Sequence, residues 1–373
     1  MRVMANNLAF AQGMHAPVPL RTTSAATTDT VNLSSIGKTT PKFGCRLFAY
    51  VNAKPTKGQN KLLSQCLMDG QNSLQKQSPL RHGDVNAANV FSWDDLLAKS
   101  SNGHGWGVAS YGHNQAQPLM DKQPAEAASD SRYEDAADKA IARKPAVLLA
   151  HIRAASVGSV NAKNTHPFTY GNWTLMHNGS LYGPEIDRLR AHVVNNVAER
   201  LGERPGGETD SEAVFYALLG RLHDQFPDTD ALKNGLPNVA PEAVFDTFRN
   251  VVGELVRGDN APHRFSLNYH RVADTTGLHL EESSSRESSP ACNFVLTNGR
   301  VLMASAYGHK LFLGSQPPSG KNIGANPEVM LASEPIQPKG FFARKINWVE
   351  VPMGHAVLME RQSDGVKVTL KPF

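Results

Sequence analysis

The order of its apolar segments is what most restricts this chain of 373 residues. Short strand-like runs come first, amphipathic helices fill the centre, and strand-like runs return. Cys45 to Val51 (CRLFAYV), Gly105 to Tyr111 and Ala146 to Ala154 are compact apolar runs of strand length. Another run starts at Trp173 and ends in a turn at Gly179. Helices are predicted from Leu62 to Leu74 and from Tyr133 to Lys144. Pro184 suits the first turn of a helix that puts Ile186, Leu189, Val193 and Val197 near one face. Thr209 opens a second, with Val214, Phe215, Leu218 and Leu222 inward, and a third spans about Ala240 to Val256. Beyond Arg264 come FSLNYHRV, NFVLTNGRVLMASAY, VMLASE, INWVEVP, HAVLMER and VKVTLKP, all strand-like. Asn298-Gly299 between two apolar runs is a hairpin signal. Glu281 to Pro290 reads as a polar loop. No repeat of fixed period is present. The pattern predicts a layered α+β domain with antiparallel sheets covered by helices, not a doubly wound parallel sheet.

Composition excludes several function classes. Apolar residues make up 40% and charged residues 19%, which fits a folded domain. No apolar run nears the ~18 residues needed to cross a bilayer. The first thirty residues lack the apolar core of a secretory signal, so a cytoplasmic location and no membrane partner are expected. The net charge is +4. Most of it lies before Cys45, where Arg2, Arg21, Lys38 and Lys42 face only Asp29. The remainder shows no basic stripe, so no nucleic-acid partner is expected. Residues 1–42 are rich in Ser, Thr, Ala and Asn without periodicity, a composition that predicts disorder. Cys45, Cys66 and Cys292 form no C-x-x-C pair and no disulfide framework. No P-loop, dinucleotide fingerprint or metal motif is found.

Several short segments set polar residues among apolar ones. They are Gly44-Cys45-Arg46, Asn102 to Gly107, His151 to Ser156, Asn164 to Phe168, His177-Asn178-Gly179 and Glu208 to Glu212. Singly, each has an ordinary reading. Cys45 can be a buried thiol, Arg153 an ion-pairing residue, and His151, His166 and His177 satisfied core histidines. Asn178-Gly179 can be a plain turn, and Thr209 to Glu212 a helix capping box.

Together and in this order, they resemble the class II glutamine amidotransferases, a family of N-terminal nucleophile hydrolases. The resemblance is carried by Cys45-Arg46-Leu47, Gly105-Trp106-Gly107, His151 to Ser156, His177-Asn178-Gly179 and Thr209 to Glu212. Asn164 to Phe168 and Ala332 to Pro335 are similar to segments of the small stand-alone bacterial members. The resemblance implies a four-layer αββα sandwich for residues 45–373. It implies that Cys45 attacks the γ-glutamyl amide of glutamine or a related compound, leaves a γ-glutamyl thioester, and releases glutamate with ammonia or an amine. The base would be the α-amino group of Cys45, whose ordinary pKa of about 7.7–8.0 suits proton transfer near neutrality. Asn178 and Gly179 would form the oxyanion hole, Arg153 would grip the substrate α-carboxylate, Asp210 the α-ammonium, and Ser156 would add a hydrogen bond. His151, His166 and Trp106 would support the site. No metal or organic cofactor is implied. Ammonia would pass to a separate acceptor protein or to water.

Two departures stand out. His104 occupies a position where relatives commonly carry Asp, which would alter the pocket mouth. More consequentially, residues 1–44 precede Cys45, and while they remain attached its α-nitrogen is an amide and no base. Cleavage between Gly44 and Cys45 would make 1–44 a propeptide. A later start is disfavoured because no usual start codon encodes glycine. Otherwise the chain is a catalytically silent glutamine-binding regulatory subunit. The leaving group is not legible, because Arg153 and Asp210 would read only the glutamyl end.

Overall fold

This computed structural model describes residues 45–79, 102–181, 184–257, 291–316, 326–340 and 345–373. The segment 1–44, the strand expected at 265–272 and the loop expected at 281–290 lie outside the described residues.

The apolar runs pair as antiparallel strands. The first sheet has seven, in the order β11-β9-β10-β1-β4-β2-β3. They are β1 (Arg46–Asn52), β2 (Trp106–Tyr111), β3 (Leu119–Gln123), β4 (Val147–Ile152), β9 (Phe312–Ser315), β10 (Glu328–Ala332) and β11 (Asn347–Glu350). The second has six, in the order β13-β12-β8-β7-β6-β5. These are β5 (Phe168–Tyr170), β6 (Trp173–Asn178), β7 (Asn293–Thr297), β8 (Val301–Ala306), β12 (His355–Arg361) and β13 (Val366–Pro372). Asn298 and Gly299 turn the chain from β7 to β8, with Gly299 at φ 79°.

Side-chain alternation sorts each strand into two faces. Leu47, Ala49 and Val51 of β1, with Val147 and Leu149 of β4, meet Met176, Val295, Ala304, Val357 and Met359 of the other sheet. That layer is the buried apolar interior between the sheets. The alternate residues Phe48, Tyr50, Leu148 and Ala150 pack outward against α1 (Gln59–Ser64) and α2 (Ser131–Ala142). On the far side, Trp173, Leu175, Phe294 and Leu296 pack beneath a helical layer. Its helices are α3 (Pro184–His192), α4 (Ala198–Leu201), α5 (Asp210–Gln225), α6 (Thr229–Lys233) and α7 (Pro241–Arg257). Helix–sheet–sheet–helix is the expected αββα sandwich.

The expected helix faces hold: Ile186, Leu189, Val193 and Val197, and then Val214, Phe215, Leu218 and Leu222, are all buried. The helix expected over Leu62 to Leu74 is instead α1 followed by a wide turn at Gln65–Asp69 and a tight one at Gln75–Gln77. The helical turns end at Gly70, whose ψ of 165° leaves the helical region, and a Cβ there would collide with the Gln65 carbonyl.

Position in these layers sets the cost of truncation. Leu149 is fully buried between the sheets, while Val349 on edge strand β11 is 64% exposed. We expect Leu149→Ala to cost about 2–5 kcal/mol of unfolding free energy. Val349→Ala should stay within about 0.5 kcal/mol. Denaturant midpoints at constant slope measure both.

Candidate active site

The ends of four strands and one helix meet at one corner of the sandwich. Register places Arg46 opposite Ile152 and Ile152 opposite Trp106, so the start of β1, the end of β4 and the start of β2 lie together. The pairing continues beyond the strands: the Arg153 amide donates to the Gly105 carbonyl at 2.7 Å and the His104 amide to the Arg153 carbonyl at 3.1 Å. The end of β6 joins from the second sheet through His151, whose Nε2 lies 2.9 Å from the His177 carbonyl oxygen.

Cys45 is buried just ahead of β1. Its Sγ accepts a hydrogen bond from the Ala154 amide at 3.4 Å. Burial pushes the thiol up, while the Ala154 amide and the cations of Arg153 and Arg46 pull it down and Asp210 opposes them. The balance stays upward, so the thiol is protonated at neutral pH and needs a base to become a nucleophile.

Arg153 and Asp210 bring opposite charges to the same corner. Arg153 is buried and donates from Nη1 to the Ser159 carbonyl at 3.1 Å and from Nη2 to the Val157 carbonyl at 2.8 Å. It therefore shapes the 157–159 turn. A guanidinium has five N–H groups, so donors remain for a ligand. Asp210 opens α5. Its Oδ2 accepts from the Leu181 amide at 2.7 Å and its Oδ1 from the Ser211 amide at 2.8 Å and the Ser211 hydroxyl at 3.2 Å. A carboxylate offers about four lone-pair sites, which leaves one to accept from a ligand. The helix N-terminus favours the negative charge.

Thr209 caps α5 as expected, its side chain accepting from the Glu212 amide at 3.2 Å. Glu212 departs from the simple capping box, accepting from the Gly206 and Gly207 amides at 2.9 and 2.7 Å instead. It thereby folds the preceding turn onto the helix.

Asn178 ends β6 with its side chain toward the interior, and its Oδ1 is buried without a hydrogen-bond partner among the described residues. Gly179 follows with φ 154°, where a Cβ would collide with the Ala291 carbonyl and His177 Nε2. His177 itself points to the helical side, sharing hydrogen bonds with Ser211 Oγ at 2.9 Å and the Ala291 carbonyl at 2.8 Å.

Gly107 explains how a buried histidine reaches this corner. A side chain there would strike the His166 carbonyl oxygen and Pro167, so the Asn164–Pro167 segment lies flat on β2. Asn164 holds that segment in place, donating to the Ser159 carbonyl at 3.0 Å and accepting from the Glu208 amide at 2.8 Å. His166 then rests edge-on against His151, ring centroids 4.3 Å apart. Burial pushes His151 down to about 3 and His166 well below its usual range, so both are neutral imidazoles.

The expected site residues are thus gathered with two exceptions. Trp106 faces the other side of the sheet, where its Nε1 donates to Asp130 at 2.9 Å and its ring packs on Tyr133. It anchors the start of α2 and does not line the corner. Ser156 is exposed at the rim and shares a 2.6 Å hydrogen bond with Ser180. Sequence reading did not single out Ser180, Ser211 or Ser333, whose hydroxyl accepts from the Leu47 amide at 3.1 Å. Hydroxyls of this kind carry no spacing signal. His104 is half-buried beside the Arg153 strand end, and its Nδ1 accepts from the Ala155 amide at 2.9 Å.

The Gly107 contact is testable. We expect Gly107→Ala to lose about 1–3 kcal/mol or more through overpacking. Gly206→Ala, where the added Cβ meets nothing nearer than Glu212 Oε1 at 3.9 Å, should change stability by less than about 1 kcal/mol. Thermal unfolding of the two variants compares them directly.

A family model described as Glutamine amidotransferases class-II matches residues 82–251. That span holds Arg153, Asn178, Gly179 and Asp210, and it begins beyond Cys45. The Escherichia coli protein named "Putative glutamine amidotransferase YafJ" is 36% identical over 155 residues, 40% of this chain and 52% of that relative. This chain therefore spans about half the length of that relative. The Saccharomyces cerevisiae protein named "Probable glutamine amidotransferase DUG3" is 24% identical over 271 residues, 70% of this chain and 71% of that relative. A solved structure of a glutamine aminotransferase class-II domain protein from Silicibacter pomeroyi aligns over 88% of this chain and 99% of its own, at 16% identity and a TM-score of 0.44.

Proposed function

This chain belongs to the class II glutamine amidotransferases, and from that premise we propose that it hydrolyses the γ-glutamyl amide of glutamine, or of a γ-glutamyl compound, through Cys45. The observation that carries the reading is the meeting of a buried thiol with the buried anion Asp210 and the buried cation Arg153, the neighbouring Arg46 already donating to the Cys45 carbonyl at 3.3 Å and lying 4.0 Å from Glu334. Arg153 and Asp210 are both near enough to act on the Cys45 thiol, with opposite signs. An α-amino acid bears one charge of each sign, so the pair matches the glutamyl end of the substrate.

The chemistry follows from the residues present. Arg153 offers its remaining N–H donors to the α-carboxylate, in the fork geometry that suits two parallel bonds. Asp210 accepts from the α-ammonium with its spare lone pair. Once Cys45 is the first residue, its α-amine takes the thiol proton, and the thiolate attacks the amide carbon. The oxyanion that forms is met by the Asn178 side-chain amide and the Gly179 N–H. The C–N bond then breaks, the amine leaves with a proton, and a γ-glutamyl thioester remains on Cys45. Water attacks the thioester carbonyl, and glutamate departs. The 157–159 turn held by Arg153 and the Ser156–Ser180 pair at the rim border the entrance, so Ser156 is assigned a supporting contact to the substrate. The released ammonia or amine goes to a separate acceptor protein or to water.

The requirement for a free α-amine makes removal of residues 1–44 the activating step. Intact mass and N-terminal sequencing of the protein from its native host should give a chain that begins at Cys45 and releases glutamate from glutamine. A chain that keeps residues 1–44, gains thermal stability with glutamine and releases no glutamate would instead identify a silent glutamine-binding subunit. In the processed enzyme, Cys45→Ala should abolish turnover with the fold intact. Asn178→Ala should lower kcat by about 10²–10³. Arg153→Lys should act mainly on KM, because a point charge replaces a fork. Wild-type kinetics in any of these variants overturns that residue's assignment.

A further inference from the structure

Cys45 shares its corner with two imidazoles that the proposed hydrolysis does not use. Sγ of Cys45, a ring nitrogen of His151 and a ring nitrogen of His166 all lie within 4.8 Å of one another, and all three residues are buried. His151 Nε2 is engaged with the His177 carbonyl, which accepts but cannot donate, so Nε2 carries the proton. Its Nδ1 is then a bare lone pair, and it is buried with no hydrogen-bond partner among the described residues. His166 is odder still: both of its ring nitrogens are buried without a hydrogen-bond partner among the described residues. The two rings meet edge-on and share no hydrogen bond of their own among the described contacts.

Buried polar atoms in a well-formed interior are nearly always satisfied, and each exception calls for an account. A histidine that donates one N–H to a backbone carbonyl and keeps its other nitrogen as a lone pair, beside a thiol and a second imidazole, has the arrangement seen in metal ligands. The carbonyl fixes tautomer and ring orientation. The Ala154 amide, which donates to Cys45 Sγ at 3.4 Å, offers the sulfur matching support. Thiolate with imidazole is a donor set for a borderline-soft divalent ion, and hard ions such as Mg²⁺ prefer oxygen.

We propose that Cys45 Sγ, His151 Nδ1 and one ring nitrogen of His166 bind a single Zn²⁺ ion. A tetrahedral zinc with Zn–S of about 2.3 Å and Zn–N of about 2.0–2.1 Å holds its ligand atoms roughly 3.3–3.6 Å apart. The three atoms, already within 4.8 Å of one another, therefore close by at most about 1.5 Å on binding. Three protein ligands leave the fourth position for water, or for the α-amine of Cys45 once that group is free. Ligation replaces the Sγ–H bond with an S–Zn bond and releases one proton to solvent. Zinc takes one lone pair of the thiolate and draws off much of its negative charge, so the metal slows attack of Cys45 on an electrophile. The binding itself rests on geometry alone and holds whether or not Cys45 hydrolyses γ-glutamyl amides.

The test uses the full chain, stripped with a chelator. Zn²⁺ is titrated in competition with a chromogenic chelator. Co²⁺ is added separately, because a thiolate ligand gives it a charge-transfer band that oxygen ligands do not. We expect one Zn²⁺ per chain, a thiolate–cobalt band, and no response to Mg²⁺. Cys45→Ser and His166→Phe should each weaken Zn²⁺ binding by about tenfold or more, since loss even of an outer partner costs about 10–100-fold. His166→Phe keeps the ring that packs edge-on against Phe168, and circular dichroism checks its fold; Cys45→Ser serves independently if it fails. Zn²⁺ should also slow iodoacetamide labelling of Cys45, read by peptide mass, in wild type and not in His166→Phe. Absence of the cobalt band, or equal Zn²⁺ affinity in wild type and both variants, overturns the site. Neither readout uses glutamine, so failure here leaves the hydrolase reading untouched, and failure of glutamate release leaves this one untouched.

Discussion

Two antiparallel sheets pack face to face only where the polar groups at their strand ends find partners across the gap, and that constraint organises this protein. Between Leu149 and Met176 the interior is buried and apolar, and an unpaired backbone group there would cost about 1–3 kcal/mol. At the candidate-site end, His151 of the first sheet meets the His177 carbonyl of the second. At the other end, Tyr111 OH donates to the Asn172 carbonyl at 2.9 Å and pairs with Thr174 Oγ1. Arg361 adds a third tie, donating to the Asn52 carbonyl at 3.0 Å. These bonds fix the spacing and register of the two sheets, so the end of β6 faces the start of β1. The site inherits its geometry from them.

The same contacts explain why so many glycines and small polar residues cluster near the corner. Gly107 removes a side chain so that the Asn164–Pro167 segment can lie against β2. Gly179 lets the chain leave β6 beside the Ala291 carbonyl. Asn164 then bridges two turns, one shaped by Arg153 and one leading into α5. Each link is an ordinary hydrogen bond worth about 1 kcal/mol net. Together they couple the Arg153 turn to the helix that presents Asp210, and the two charges are held as one unit.

Much of this was legible in the chain itself, for reasons that vary by element. The long interior strands read clearly because two-sided burial makes them continuously apolar, as in β1 and β4. The faces of α3 and α5 read clearly because their apolar spacing follows the helical period. Strands β3, β5 and β9 did not. β3 is LMDKQ, half exposed at the sheet edge, β5 spans only three residues, and β9 is four residues including a glycine. Pairing with a neighbour, not local pattern, makes them strands. In the candidate site, Cys45, Arg153, Asn178, Gly179 and Asp210 were legible through the family resemblance of their motifs. The outward turn of Trp106 follows from strand parity, since it shares a face with Val108. Ser180, Ser211 and Ser333 were not legible, because a single hydroxyl has no sequence context that separates a structural partner from a surface residue.

Burial is the term that links fold to chemistry at this corner. It keeps the Cys45 thiol protonated, holds His151 and His166 as neutral rings, and leaves Arg153 and Asp210 poorly screened. Charges in such a setting act over several ångströms with a strength that water would erase. A buried thiol is inert until something takes its proton, so activation is separated from folding: the interior can form completely while Cys45 remains a harmless core residue. Two agents suit the task physically. An amine delivered at the same residue by cutting the chain removes the proton and makes a nucleophile. A divalent ion delivered from solution displaces the proton and occupies the sulfur. Both draw on the same desolvated thiol, and the unpartnered imidazoles beside it favour the second agent as surely as the free amine favours the first. Under the proposed function, a cut before Cys45 would set the balance between them, because only a free α-amine is an internal base.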